Sequence, residues 1–95
     1  MLNFVWDEKK NQSNIKKHGI SFDEAMSVFY DDDALFILDE KHSKKEERFI
    51  LIGFSSKANI LVVCHCYRQS EQVIRIISAR KANKVERKEY IKNER

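Results

Sequence analysis

His65, Arg68, Arg75 and Arg80 are the residues whose types and spacing could do chemistry in this chain. An imidazole moves protons near neutrality, and a guanidinium presents a planar fork that matches phosphate oxygens. Together they would suit cleavage of a phosphodiester, with His65 carrying the proton and the arginines holding the charge that builds on phosphorus. Arg75 has a second reason for notice, because it interrupts the apolar run Val73-Ile74-Arg75-Ile76-Ile77. An unpaired buried guanidinium is strongly unfavourable, so Arg75 must reach a carboxylate, an anion or an open sheet face. A structural ion pair for Arg75 and a surface position for His65 would produce the same pattern, and spacing alone favours that plainer explanation.

Other constellations carry less. Cys64-His65-Cys66 invites a metal, but alternate residues of a strand point to opposite faces, and no second cysteine pair exists to complete a zinc site. Neither a metal nor a cofactor is expected. The two glycines, Gly19 and Gly53, cannot make a glycine-rich phosphate cradle, and no local pattern marks an activated serine. His18 precedes Gly19 at an expected helix end, where an imidazolium meets the negative end of the helix dipole. His42 lies in a polar turn near Glu46 and Glu47 and reads as solvated.

The elements that must position these residues follow from pattern. Phe4-Val5-Trp6 predicts a short strand, and Asp7 the cap of a polar helix that stops at Gly19. On that helix Asn11, Asn14, Ile15 and His18 share a face with a single apolar member, which predicts weak anchoring. Ser21-Phe22-Asp23-Glu24 is a capping box in which Glu24 is expected to return to Ser21, followed by the buried stripe Phe22, Ala25, Met26 and Phe29. Asp31-Asp32-Asp33 should end this helix. Apolar runs at 34–38, 48–54, 60–67 and 73–78 predict strands. Turns as short as Ser55 to Asn59 and Gln69-Ser70-Glu71 imply hairpins and a mostly antiparallel sheet. The stretch 80–93 is helix-forming. The order β-α-α-β-β-β-β-α indicates an α+β domain spanning 1–95.

With 95 residues, 42% apolar and 35% charged, the composition is that of one globular domain, neither disordered nor membrane-spanning. The opening Met1-Leu2-Asn3-Phe4 lacks the layout of a signal peptide, so a cytoplasmic chain is expected. The formal charge of +3 hides an asymmetry: residues 1–47 hold 7 lysines against 11 carboxylates, and residues 48–95 hold 11 lysines and arginines against 4. All six arginines, from Arg48 to Arg95, fall in the second half. A basic half attracts polyanions, although a solvated basic face needed for solubility would have the same composition.

Several segments, in order from Phe4 to Tyr90, resemble the BrnT family. They are Phe4-Val5-Trp6-Asp7, Asn14-Ile15-Lys16-Lys17-His18-Gly19, Phe22-Asp23-Glu24-Ala25 with Val28-Phe29, Asp39 with His42, Glu47-Arg48, and Ile74-Arg75-Ile76-Ile77-Ser78-Ala79-Arg80-Lys81-Ala82 with Glu86-Arg87 and Tyr90. The resemblance implies a RelE-like α+β fold: a short N-terminal strand and two helices, an antiparallel sheet of about four strands, and a C-terminal helix. It implies a metal-independent ribonuclease toxin of a type II toxin–antitoxin system that cuts mRNA and inhibits translation and growth. Its partners would be RNA and a neutralising BrnA-type antitoxin, with operator DNA reached only through the antitoxin and no membrane contact. A homodimer within the complex fits the same picture. The resemblance assigns His65, Arg68 and Arg80 to catalysis and Arg75 and Lys81 to RNA binding. Lys17, His18, Glu47 and Arg48 would support the site, Glu47 and Arg48 as a paired charge against the sheet. The alternative is a nucleic-acid-binding or regulatory module without turnover; a third reading is a protein whose basic face docks an acidic partner.

Overall fold

A computed structural model describes residues 2–70 and 72–93. Met1, Glu71, Glu94 and Arg95, which enter the opening, a turn and the charge count above, lie outside the described residues. Strand β1 (Asn3–Val5) leads into helix α1 (Glu8–His18), helix α2 (Phe22–Ser27) and a single 3-10 turn (Val28–Tyr30). Strand β2 (Leu35–Leu38), a 3-10 turn (Glu40–His42), and strands β3 (Phe49–Phe54), β4 (Ile60–Arg68) and β5 (Val73–Lys81) follow, and α3 (Lys84–Asn93) closes the described chain. Among the described residues the sheet has five strands in the order β1-β5-β4-β3-β2. Its antiparallel part has the expected four strands; the fifth is the N-terminal strand, which joins β5 in parallel through Asn3↔Val73 and Phe4↔Ile74. No helix among the described residues is long and apolar enough to cross a membrane.

The helix ends obey their local chemistry. The Asp7 carboxylate accepts from the Lys9 N–H at 2.8 Å, and Gly19 adopts the left-handed φ of 73° while its N–H closes on the Ile15 carbonyl. Ser21 caps the Glu24 N–H at 3.1 Å, but Glu24 does not return to Ser21. Its buried carboxylate instead accepts from the Ser55 hydroxyl at 2.6 Å and the Asn59 amide at 2.8 Å, fastening α2 to the β3–β4 turn. The stronger need wins: a buried carboxylate requires donors, and the turn supplies two.

The anchoring of α1 also departs from expectation. Two buried asparagines hold it rather than apolar contacts, while Ile15 stays exposed. β1 stops opposite Arg75, leaving the outer edge of β5 unpaired beyond that point. Asn14 fills the gap as a surrogate strand, donating to the Ala79 carbonyl at 2.8 Å and accepting from the Ala79 N–H at 3.1 Å. Its amide also donates to the Ile20 carbonyl, and Asn11 accepts from the Phe22 N–H. This docking brings the C-terminal end of α1, with Lys17 and His18, around the edge of the sheet.

The sheet separates two apolar clusters. Ile20, Phe22, Ala25 and Val28 pack on Leu51, Leu61, Val63, Ile74, Ile76 and Ala79 on one face. On the other, Tyr90 of α3 packs on Ile52 and Val62, leaving much of that face open. Gly53 permits the close seat of the 3-10 turn on β3: a Cβ there would meet Val28 Cγ1 at 2.8 Å.

Candidate functional site

Alternation along β4 decides which residues can act together. Leu61, Val63, His65 and Tyr67 face the α2 side; Val62, Cys64, Cys66 and Arg68 face the open side. His65 therefore diverges from the two cysteines and from the arginines. Its ring is fully buried among Phe29, Phe36, Phe49 and Tyr67, with centroid separations of 4.8 to 6.0 Å. Nδ1 has only a long contact of 3.4 Å to the Val63 carbonyl, and Nε2 has no partner among the described residues. Burial pushes His65 down to about 4, so the ring is neutral at physiological pH. The expected grouping of His65 with Arg68, Arg75 and Arg80 is thus corrected: the imidazole lies on the opposite face from the three guanidiniums.

The arginines share the open face because β5 carries a bulge. Arg75 pairs with Cys66 and Arg80 with Val62, although positions five apart alternate in a regular strand. The register jumps from His65↔Ile76 to Cys64↔Ser78, leaving Ile77 as an extra residue. That insertion reverses the parity, so Ala79 remains in the core while Arg80 turns outward. Lys81, opposite Leu61, falls on the other side, at a rim with Phe54, Asn59 and Arg87. It does not join the arginines.

Two charged neighbourhoods form on the open face. In the first, Arg68 reaches Glu46 at 3.4 Å near Arg75 and the buried Cys66. Burial pushes the Cys66 thiol up, Glu46 adds to the shift, and the two arginines offset part of it. The second is an open groove of about 360 Å³. Lys17 and His18 enter it from the end of α1, Asp39 and His42 from the turn after β2, Arg48 from the residue before β3, and Arg80 from β5. Ile50, Val62, Cys64 and Ser78 form the floor. Burial also pushes the Cys64 thiol up, with the Asp39 charge adding and Arg48 opposing, so this thiol stays protonated near neutrality.

Within this groove Arg80 is largely committed. Its two terminal nitrogens donate to both Glu86 oxygens at 2.8 Å, and Glu86 also accepts from the Asn83 N–H at the start of α3. This pairing raises the Arg80 pKa and holds Glu86 below the usual carboxylate range. Lys17 and Arg48, by contrast, enter no ion pair among the described residues. Glu47 is not paired with Arg48 as expected: it turns to a separate hollow with Phe36, Phe49 and Tyr67. Consecutive residues entering a strand diverge for the same reason His65 and Arg68 do.

His42, expected to be solvated, is exposed but also paired. Its Nδ1 lies 2.9 Å from Asp39 Oδ2, and the imidazole is 63% exposed whereas Asp39 is 11% exposed. The three-residue spacing of Asp39 and His42 was a usable signal, but only a turn that folds back brings the pair together. Ser43 makes it fold back: its hydroxyl donates to the Asp39 carbonyl at 2.6 Å and accepts from the Arg48 N–H at 3.0 Å.

Comparison with known proteins agrees with this architecture. Residues 6–86 match the family model described as the ribonuclease toxin, BrnT, of type II toxin–antitoxin systems. The crystal structure of the ribonuclease toxin BrnT from Brucella abortus is similar, with a TM-score of 0.66 and 26% sequence identity, over 88% of this chain and 100% of that one. No curated protein matches the sequence. With more than four-fifths of its length accounted for by one family, the chain belongs to the BrnT ribonuclease toxins of type II toxin–antitoxin systems.

Proposed function

We propose that this chain is a metal-independent endoribonuclease that cuts mRNA, so inhibiting translation and growth, and that a BrnA-type antitoxin neutralises it. The observation that carries this reading is the convergence of Lys17, His18, His42, Arg48 and Arg80 on one open groove from four separate parts of the chain. A single-stranded polyanion fits such a surface, because cations along a groove track a phosphate backbone. Cleavage needs no metal if the RNA 2′-hydroxyl attacks its own phosphate. Fixed cations then meet the charge that develops on phosphorus, and in a partly desolvated groove they act more strongly than in water. Lys17 and Arg48, which enter no ion pair among the described residues, are the groups placed to do so, and Arg80 lines the same groove while paired with Glu86. Arg68 and Arg75 lie further along the same face, where they would hold flanking nucleotides. Lys81 would touch RNA only beyond the sheet edge.

The reading is tested by inducing the chain in bacteria and mapping transcript ends, alongside cleavage of purified RNA with excess chelator. Growth arrest, new internal mRNA ends and chelator-resistant cleavage are expected. Normal growth with intact transcripts, despite folded protein, would instead support a binding module without turnover. Co-expression of a BrnA-type antitoxin should restore growth and yield a stable complex.

A further inference from the structure

We infer that His42, oriented by Asp39, is the general base of the RNA cleavage, and that His18 is its acid. This inference rests on the ribonuclease reading and assigns its proton transfers. A carboxylate can only accept a hydrogen bond, so the 2.9 Å contact with Asp39 Oδ2 places the ring proton of His42 on Nδ1. In the neutral ring Nε2 then carries the lone pair, on an imidazole that is mostly exposed at the groove. A base held in one tautomer by a carboxylate follows the logic of nucleophile-activating sites in general. The Ser43 hydrogen bonds make the turn a fixed mount, since they tie the Asp39 carbonyl to the Arg48 N–H on the far side of the loop. Arg48 follows that mount directly and faces the same groove, so base and phosphate-binding cation are set by one piece of backbone.

The chemistry balances. Nε2 of His42 takes the proton of the 2′-hydroxyl, the 2′-oxygen forms a bond to phosphorus, and the bond from phosphorus to the 5′-oxygen breaks. The 5′-oxygen leaves with the proton of the His18 imidazolium. The products are a 2′,3′-cyclic phosphate and a 5′-hydroxyl, and water exchanges the two imidazoles back to their starting states. Other groups face His42 from each side: Lys41, Lys44, Lys45 and Glu46 on its own loop, and Lys17, Cys64 and Arg80 across the groove. Burial pushes the Cys64 thiol up, and the Glu86 pairing raises Arg80, so neither is poised to exchange a proton near neutrality. His18 and His42 bring two imidazoles to this groove, and imidazole is the side-chain type suited to general acid–base work near neutrality.

The test is single-turnover cleavage of a short end-labelled RNA by the purified full chain, across pH 5 to 9. His42→Ala should lower the rate by about a hundredfold or more while RNA affinity changes little, and added imidazole should restore part of the loss. Asp39→Asn should lower the rate by about tenfold and alter the acidic limb of the profile, as expected of a positioning residue. A substrate with sulfur in place of the 5′-bridging oxygen needs no proton on its leaving group. It should rescue His18→Ala and leave His42→Ala defective. Cleavage by His42→Ala at the wild-type rate and with the wild-type profile overturns the assignment alone. No cleavage by the wild-type chain, with folded protein and bound RNA, overturns the ribonuclease reading and this assignment together.

Discussion

The two faces of the sheet put the same side chain to opposite uses. His65 and His42 are both imidazoles within reach of β-structure, yet one is enclosed by four aromatic rings and the other stands in a groove lined by cations. On the helix-covered face none of the described residues offers His65 a charge or a strong hydrogen bond, so burial keeps it neutral and it behaves as a fifth ring in an aromatic core. On the open face a carboxylate fixes one nitrogen of His42 and solvent reaches the other. Residue type therefore says little about function until the face is known. The face of a strand residue is a matter of parity, which one bulge can reverse.

The sharpest way to break the comparison is to exchange the roles. His65→Phe should leave RNA cleavage within about twofold of wild type, because the ring keeps its shape and contributes no proton, whereas loss of the His42 imidazole removes an acid–base group that supplies about a hundredfold or more. Single-turnover rates measured side by side decide it. A collapse of activity in a folded His65→Phe protein would mean that the buried ring reaches substrate through an opening of the aromatic cluster.

Stability should divide the faces in the other direction. His65→Ala empties the centre of the aromatic cluster and should reduce stability by about 2–4 kcal/mol in urea unfolding. His65→Phe removes a buried unpartnered nitrogen and should stay within about 1 kcal/mol of wild type. The acid dependence follows from the same burial. The ordinary histidine value is near 6.5 and the folded value is about 4, so the unfolded chain binds more protons between them. Wild-type stability should therefore fall as pH drops through that window, by up to roughly 3 kcal/mol. His65→Phe should be nearly flat from pH 6.5 to 5. Asp31 and Glu86 contribute at more acid pH. Burial alone would raise Asp31, but hydrogen bonds from the Phe54 N–H, the Tyr90 hydroxyl and the Asp33 N–H outweigh it; Glu86 is lowered by Arg80. Stability from both is present above the ordinary carboxylate range and is lost as pH falls through their lowered values.

Asn14 gives a comparable effect without chemistry. Asn14→Ala would leave both backbone groups of Ala79 and the Ile20 carbonyl without their buried partners, and about 2–4 kcal/mol of stability should be lost. A loss below 1 kcal/mol would show that water replaces the asparagine at the edge of β5.

These positions also mark where sequence reading succeeds. The α2 stripe, the caps at Asp7, Ser21 and Gly19, and the presence of the four later strands are local patterns that appear directly in sequence. β5, however, runs on to Lys81 where a helix was expected from Arg80, because pairing with β4 extends that far. Asn14 and Glu24 were misread because their partners, Ala79 and Ser55, lie tens of residues away and no periodicity encodes a hydrogen bond. The extra residue at Ile77 sits inside an unbroken apolar run, so nothing in the run betrays the change of parity that brings Arg75 and Arg80 to one face. Arg80, Arg48, Lys17 and His18 were legible as site candidates by resemblance, and the structure gathers those four. His65, Arg68 and Lys81 came from the same reading and lie elsewhere.

The smallest predicted effect separates two uses of one arginine. Arg80 and Glu86 are 43% and 22% exposed, so solvent screens much of their attraction, and Glu86→Gln should reduce stability by only about 0.5–1 kcal/mol. The same change leaves a single acceptor oxygen where the guanidinium had two, and removes the negative charge beside a cation that lines the groove. If Arg80 serves only to hold α3, RNA affinity should stay where it was. If the groove binds the phosphate backbone, Glu86→Gln should tighten RNA binding and steepen its salt dependence by about 0.7 in the log–log slope, one additional phosphate contact on a single strand. A titration at several salt concentrations reads both quantities. A slope left unchanged would confine Arg80 to the architecture of the open face and leave Lys17 and Arg48 as the groove's phosphate ligands.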